Sequence, residues 1–182
     1  MHTPPSTAQR DDELFDVVDT EDRVIGRASR CEVHAQRLLH RAIHVLVFDR
    51  EGRVFLQKRS LLKDSAPGCW ESSCSGHLDA GEDYLTAAVR ELAEEIGVCL
   101  PPEALVFRCQ LPPSADTGWE FVRIFTARYD GPVTLNPAEV ERGEWYSLEQ
   151  VSAGLRERPQ AYTKPLRLHW ERVRAEVEGD PR

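Results

Sequence analysis

The sequence predicts an α/β protein, and three observations carry that prediction. Apolar residues recur at helical spacing in two segments, Leu85, Val89, Leu92, Ile96 and Leu166, Trp170, Val173, Val177, each stepping four, three, four. Runs rich in Val, Ile, Phe and Tyr alternate with these segments and are bounded by Asp, Gly and Pro, as strands are. Two capping boxes, Ser29-Arg30-Cys31-Glu32 and Ser147-Leu148-Glu149-Gln150, mark further helix starts.

Taken in order, Met1 to Asp12 is polar and contains proline, with no apolar signal-peptide core; it reads as a flexible tail. A single domain is expected over 13–178, with 13–38 as an extension and 39–178 as the core. Leu14–Val18 and Arg23–Arg27 flank a polar Asp-Thr-Glu-Asp turn and predict an N-terminal hairpin. The box at Ser29 opens a short helix expected to reach Leu39. Arg41–Phe48 and Arg53–Lys58 read as strands around Asp49-Arg50-Glu51-Gly52. Pro67-Gly68 breaks the chain ahead of one strand over Cys69–Ser75. Gly97, just past the Leu85–Ile96 stripe, is placed for a left-handed helix end. Ala104–Leu111 and Glu120–Tyr129 are further strands, separated by a Pro-Pro and Asp-Thr-Gly loop. Gly143–Tyr146 is a short strand, the box at Ser147 starts a brief helix, and Thr163 is placed to cap the last one.

Formal charge is −8 over 182 residues, which argues against nonspecific binding to nucleic acid or to an anionic membrane. No apolar run approaches the ~20 residues of a membrane span. Five cysteines, Cys31, Cys69, Cys74, Cys99 and Cys109, form no C-x-x-C pair; they are expected as small buried residues in a reducing cytoplasm. A small anionic molecule is therefore the expected partner, met locally by metal and a few cations. A homodimer is left open.

The segment Gly76-His77-Leu78-Asp79-Ala80-Gly81-Glu82, continuing to Arg90-Glu91-Leu92-Ala93-Glu94-Glu95-Ile96-Gly97-Val98, carries the chemistry. At roughly 100° per residue, Glu91 and Glu95 project within about 40° of each other beside the buried stripe. Glu94 lies further round and pairs with Arg90, four residues earlier. The loop from Gly76 can bring Glu82 and the Gly76 carbonyl to the same place. Two carboxylates about 5 Å apart repel by roughly 3 kcal/mol at an effective dielectric near 20. Such a cluster holds a proton or binds a cation, and hard oxygen ligands suit Mg²⁺, or Mn²⁺ in its place.

The pattern G, five residues, E, seven residues, R-E-L-x-E-E-x-G-V resembles the box of the Nudix hydrolases without a departure. The resemblance implies an α/β/α sandwich with a mixed sheet, and hydrolysis of a diphosphate linkage in a nucleoside-diphosphate-type or related substrate. It implies metal on Glu91 and Glu95 with Glu82 and Gly76 in support, and Arg90 orienting the glutamates. The base is either Glu94 in the box or a loop residue, Glu139 or Glu141. Outside the box, Leu39-His40-Arg41-Ala42, Gln57-Lys58-Arg59-Ser60 and Lys63-Asp64-Ser65-Ala66-Pro67-Gly68 are similar to segments of isopentenyl-diphosphate isomerases and Nudix hydrolases related to them. In those isomerases a cysteine two residues before a metal-binding histidine transfers the proton. Here His77 matches that histidine, His40 another, and Glu120 the catalytic glutamate, but the cysteine position holds Ser75. In an extended segment Cys74 would point to the opposite face.

Several residues keep two readings. His40 and His77 are either hydrogen-bonded rim residues that meet substrate or ligands of a second metal. His44 is a core or a substrate-facing side chain. Arg59 and Lys58 either bind a phosphate or end a solvated strand. Trp70, Trp119 and Phe121 either stack on a base or fill the core.

Overall fold

A third strand buried on both faces organises the molecule. A computed structural model describes residues 11–179; the expected tail, apart from Asp11 and Asp12, lies outside the described residues. The elements are β1 Leu14–Val18, β2 Val24–Ser29, α1 Arg30–Gln36, β3 His40–Phe48, β4 Val54–Arg59, β5 Trp70–Glu71, β6 Cys74–His77, α2 Tyr84–Ile96, β7 Val106–Leu111, β8 Glu120–Arg128, β9 Val140–Tyr146, α3 Leu148–Glu157 and α4 Lys164–Gly179. In β3, Ile43, Val45 and Val47 pack with Leu92 and Ile96 of α2 on one face. Ala42, Leu46 and Phe48 pack with Val151 of α3 and Leu166, Trp170 and Val173 of α4 on the other. A strand buried on both faces must be apolar throughout, and β3 nearly is.

The seven-stranded sheet is mixed: β3 pairs in parallel with β8, and antiparallel with β4 and β6. β1 and β2 form a separate antiparallel hairpin. This is an α/β/α sandwich, as expected.

Most strand ends shift by one or two residues from the sequence reading, and four differences bear on the site or have a local cause. Helix α1 stops at Gln36, because Arg37 turns left-handed with φ 55°. The strand expected over Cys69–Ser75 is broken into β5 and β6. Its cause is Ser73, whose hydroxyl accepts from Val47 N–H and donates to the Phe55 carbonyl, filling the gap where β3 and β4 part. β9 starts at Val140, so Glu141 lies in a strand and not in a loop. Thr163 precedes α4, but its buried hydroxyl makes no hydrogen bond and caps nothing.

Gly97 does end α2 in the left-handed region, at φ 66°. A β-carbon there would also meet Thr134 at 3.0 Å. Gly97→Val is therefore expected to destabilise the fold by roughly 2 kcal/mol or more. An unchanged melting temperature would refute this account of the helix end.

Candidate active site

Helix α2 presents three glutamates at three depths. Glu95 is 2% exposed, Glu91 lies beside it half-buried, and Glu94 is largely in solvent. Asp83 starts this helix by accepting from the backbone N–H groups of Leu85 and Thr86. Arg90 then ties the cluster together. It donates to Glu91 at 2.8 Å, to Glu94 at 3.1 Å, and to the His77 carbonyl at 3.0 Å. Its other donors reach both oxygens of Glu82, at 3.0 and 2.8 Å. Glu82 was expected among the metal ligands; here both its oxygens accept from Arg90.

Glu95 faces two ways. Oε2 accepts from Gln57 Nε2 at 2.8 Å and from Ser75 N–H at 3.0 Å. Oε1 lies 3.7 Å from Lys63 Nζ. Burial pushes both Glu91 and Glu95 above the usual carboxylate range; repulsion from Glu95 adds to it at Glu91, while at Glu95 Lys63 and the Ser75 N–H pull the other way without outweighing burial. Gly76 runs so close to Glu91 that a β-carbon would overlap its carboxylate. The donor set is hard oxygen, largely withdrawn from water, with Arg90 beside Glu91 and Lys63 beside Glu95. Those residues fit a Mg²⁺ or Mn²⁺ ion.

The glutamates open into a cleft of about 780 Å³. Cations line it: Arg30 from α1, Arg59 from the end of β4, and Lys63 from the loop after it. Arg59 is buried against Glu71 and donates to the Ser65 carbonyl at 3.0 Å. Burial disfavours charge on Glu71, yet Arg59 and His44 outweigh it and lower that carboxyl to about 2. Lys58 instead pairs with Glu141 at 3.0 Å. Lys63 pairs with Glu139, which also lines the cleft.

His77 and Glu120 line the cleft with His34, while His40 is buried and does not. The expectation that His40 meets substrate is thus corrected. Hydrogen-bond partners assign the tautomers. Arg30 can only donate, so His77 Nδ1, 3.2 Å away, accepts. His77 Nε2–H then donates to Glu120 Oε1 at 3.0 Å. His40 Nδ1 donates to the Leu38 carbonyl at 2.9 Å. Its Nε2 lies 3.3 Å from Glu120 Oε1 without hydrogen-bond geometry. Burial holds His77 down at about 4, so it is neutral. Burial disfavours charge on Glu120 too, yet His77 and His40 outweigh it and hold Glu120 well below the usual range. Ligand atoms of His34, His40, His77 and Glu120 all lie within 4.8 Å of one another. His40 could offer a lone pair to a metal there, but His77 turns an N–H inward.

His44 lines the cleft from a buried position, with Nδ1 3.0 Å from Ser72 Oγ. Ser75 lines the cleft while Cys74 is buried in the core, as strand alternation requires. Of the three aromatic candidates, Trp119 lines the cleft, Phe121 is core, and Trp70 packs edge-on against Tyr146. Sequence reasoning missed Arg30, His34, Lys63, Gln57 and Glu71. Arg30 and His34 sit four apart on α1, a spacing that would have shown them on one face.

Fold and site define a sandwich protein with a carboxylate cluster at the mouth of a cation-lined cleft. The NUDIX domain matches residues 38–167, and the chain belongs to the Nudix family. It is 34% identical over 155 residues to isopentenyl-diphosphate Delta-isomerase 2 of Photorhabdus laumondii, covering 84% of this chain and 87% of that protein. It is 33% identical over 141 residues to an uncharacterized Nudix hydrolase of Yersinia pestis, covering 78% and 76%. A crystal structure from Deinococcus radiodurans matches with a TM-score of 0.76 at 24% identity, covering 88% of this chain and 98% of that one. The NUDIX domain of Shewanella oneidensis NrtR, complexed with ADP ribose, matches at 0.60 and 21% identity, covering 82% and 99%. Among the described residues no helix is long and apolar enough to cross a membrane.

The titrations give stability in EDTA a defined pH dependence. Burial lowers His77 to about 4 and His169 to about 3, and lowers His44. Unfolded, these histidines bind protons below about 6.5, so the unfolded state holds more protons there and stability rises with pH. Above about 6.5 the raised Glu91 and Glu95 dominate: the folded state holds more protons and stability falls toward pH 8. A melting temperature that peaks near pH 6.5, declines by pH 8 and regains the loss with Mg²⁺ is expected. A profile still rising at pH 8 in EDTA would contradict the raising of these two carboxyls by burial.

Proposed function

We propose that this protein is a Mg²⁺-dependent hydrolase of an organic diphosphate, of the nucleoside-diphosphate type or a related one. The observation that carries this reading is the pairing of half-buried Glu91 with buried Glu95, both raised by burial and opening into a cleft lined by Arg30, Arg59 and Lys63. Glu91, Glu95 and the Gly76 backbone would hold the ion. When bound, Mg²⁺ would polarise phosphoryl oxygens and supply an activated water. Arg90 keeps Glu91 in place through its bonds to Glu82 and the His77 carbonyl. The guanidinium groups of Arg30 and Arg59 match phosphate oxygens in geometry and charge. Trp119 also lines the cleft and would meet the non-phosphate part of the substrate. Glu139 is the better base: it lies in the cleft wall facing Glu95, whereas Glu94 is tied to Arg90 and largely in solvent.

A second reading, isopentenyl-diphosphate isomerisation, is favoured by the relatives that carry that name and by the grouping of His34, His40, His77 and Glu120. Moving a double bond needs one group to give a proton to carbon and another to remove one. Ser75, a far weaker acid than the thiol of the resembling isomerases, faces the cleft in that place. One experiment separates the readings. A panel of diphosphates with Mg²⁺ in ¹⁸O-water should yield a labelled phosphate or monophosphate. Isopentenyl diphosphate in deuterated water should stay unlabelled at carbon. Deuterium in dimethylallyl diphosphate at an enzymatic rate would replace the first reading with the second.

A further inference from the structure

Lys63 sits where a cation is needed. Glu95 Oε2 is filled by two neutral donors, and Oε1 is left facing Lys63 Nζ at 3.7 Å. The same ammonium pairs with Glu139, and the Lys63 side chain is 7% exposed. Arg90 is committed to Glu82, Glu91 and Glu94. Among the described residues, Lys63 is therefore the cation that Glu95 and Glu139 share.

We infer that Lys63 is an internal competitor of the catalytic cation, displaced toward the substrate's phosphates when the metal binds. The inference rests on the proposed metal role of Glu95. A divalent ion on Oε1 of Glu95 would meet the Lys63 ammonium at close range, and like charges in a buried site repel strongly. Lys63 is free to yield because its loop is anchored elsewhere. Gly68 N–H donates to the Arg59 carbonyl at 3.1 Å, and the Arg59 side chain holds the Ser65 carbonyl. Asp64 is paired with Arg30 at 2.8 Å across the cleft. Leu61 and Leu62, at the loop tip, are 72% and 66% exposed and pack little against the protein. Displacement has two consequences. The ammonium moves into the cleft already lined by Arg30 and Arg59, where an anion is to bind. Glu139 loses the partner that occupies its carboxylate, and so becomes free to accept a proton from water. Metal arrival would then complete both the phosphate site and the base.

The test is Mn²⁺ binding to the full chain, followed by electron paramagnetic resonance, with Lys63→Met beside the wild type. Removing the competitor should tighten Mn²⁺ binding at least fivefold. In the wild type alone, saturating Mn²⁺ should also speed amide hydrogen exchange over residues 60–69. Equal or weaker Mn²⁺ affinity in a folded Lys63→Met overturns the inference while leaving the metal assignment standing. No Mn²⁺ binding by the wild type would overturn the metal assignment itself and the inference with it. Should the variant fail to fold, unchanged exchange over 60–69 in the wild type is the overturning result.

Discussion

Glu95→Gln is expected to keep the fold and to lower turnover by about a thousandfold, the equivalent of about 4 kcal/mol of transition-state stabilisation. The substitution is isosteric, and an amide oxygen can still accept from Ser75 N–H, as Glu95 Oε2 does at 3.0 Å. What is lost is the negative charge that a divalent ion needs at the most buried position of the cluster. The metal-free variant should also be no less stable near pH 8, because the wild-type carboxyl is penalised by burial there. Steady-state kinetics at saturating Mg²⁺ provide the check. Activity within tenfold of the wild type would sink the assignment of Glu95 to the metal.

Gly76→Ala should have an effect of similar size with a different cause. One methyl group at position 76 would overlap the Glu91 carboxylate. β6 cannot retreat, because its neighbours in the sheet pair Gly76 with Ile43 and His77 with Ala42. Glu91 must therefore turn away, which breaks its 2.8 Å bond to Arg90. Turnover is expected to fall at least a hundredfold, since misplacing a catalytic group by an ångström costs about that much. Circular dichroism and the melting temperature report whether the fold survives. A variant that folds and keeps wild-type kcat would show that Glu91 does not need the space Gly76 leaves.

Much of the fold was legible because local signals agreed. The stripe at Leu85, Val89, Leu92 and Ile96 produced α2, and both capping boxes close as written, with Glu32 and Gln150 reaching back to Ser29 and Ser147. The break inside Cys69–Ser75 was not legible. It depends on the Ser73 hydroxyl bridging two strands that diverge, and no local propensity encodes that. The Thr163 cap failed for a related reason: a residue type suited to capping met a position where its hydroxyl found no partner.

The same division runs through the site. Helical geometry alone put Glu91 and Glu95 on one side of α2 and Glu94 beside Arg90, because those separations are set by 3.6 residues per turn. Strand alternation alone sent Ser75 to the cleft and Cys74 to the core. These relations lie within single elements, where backbone geometry settles direction, and the sequence determined them unaided. Which cations face the glutamates was decided by tertiary structure. Lys63 is 32 residues from Glu95 and 76 from Glu139 in the chain, and Arg30 is 47 residues from His77. Their meeting depends on how β3, β4 and β6 pair and where the hairpin and α1 pack. The burial that drives Glu91 and Glu95 above the usual range likewise arises only when α2 closes on the sheet, for desolvation belongs to the packed environment and not to the residue.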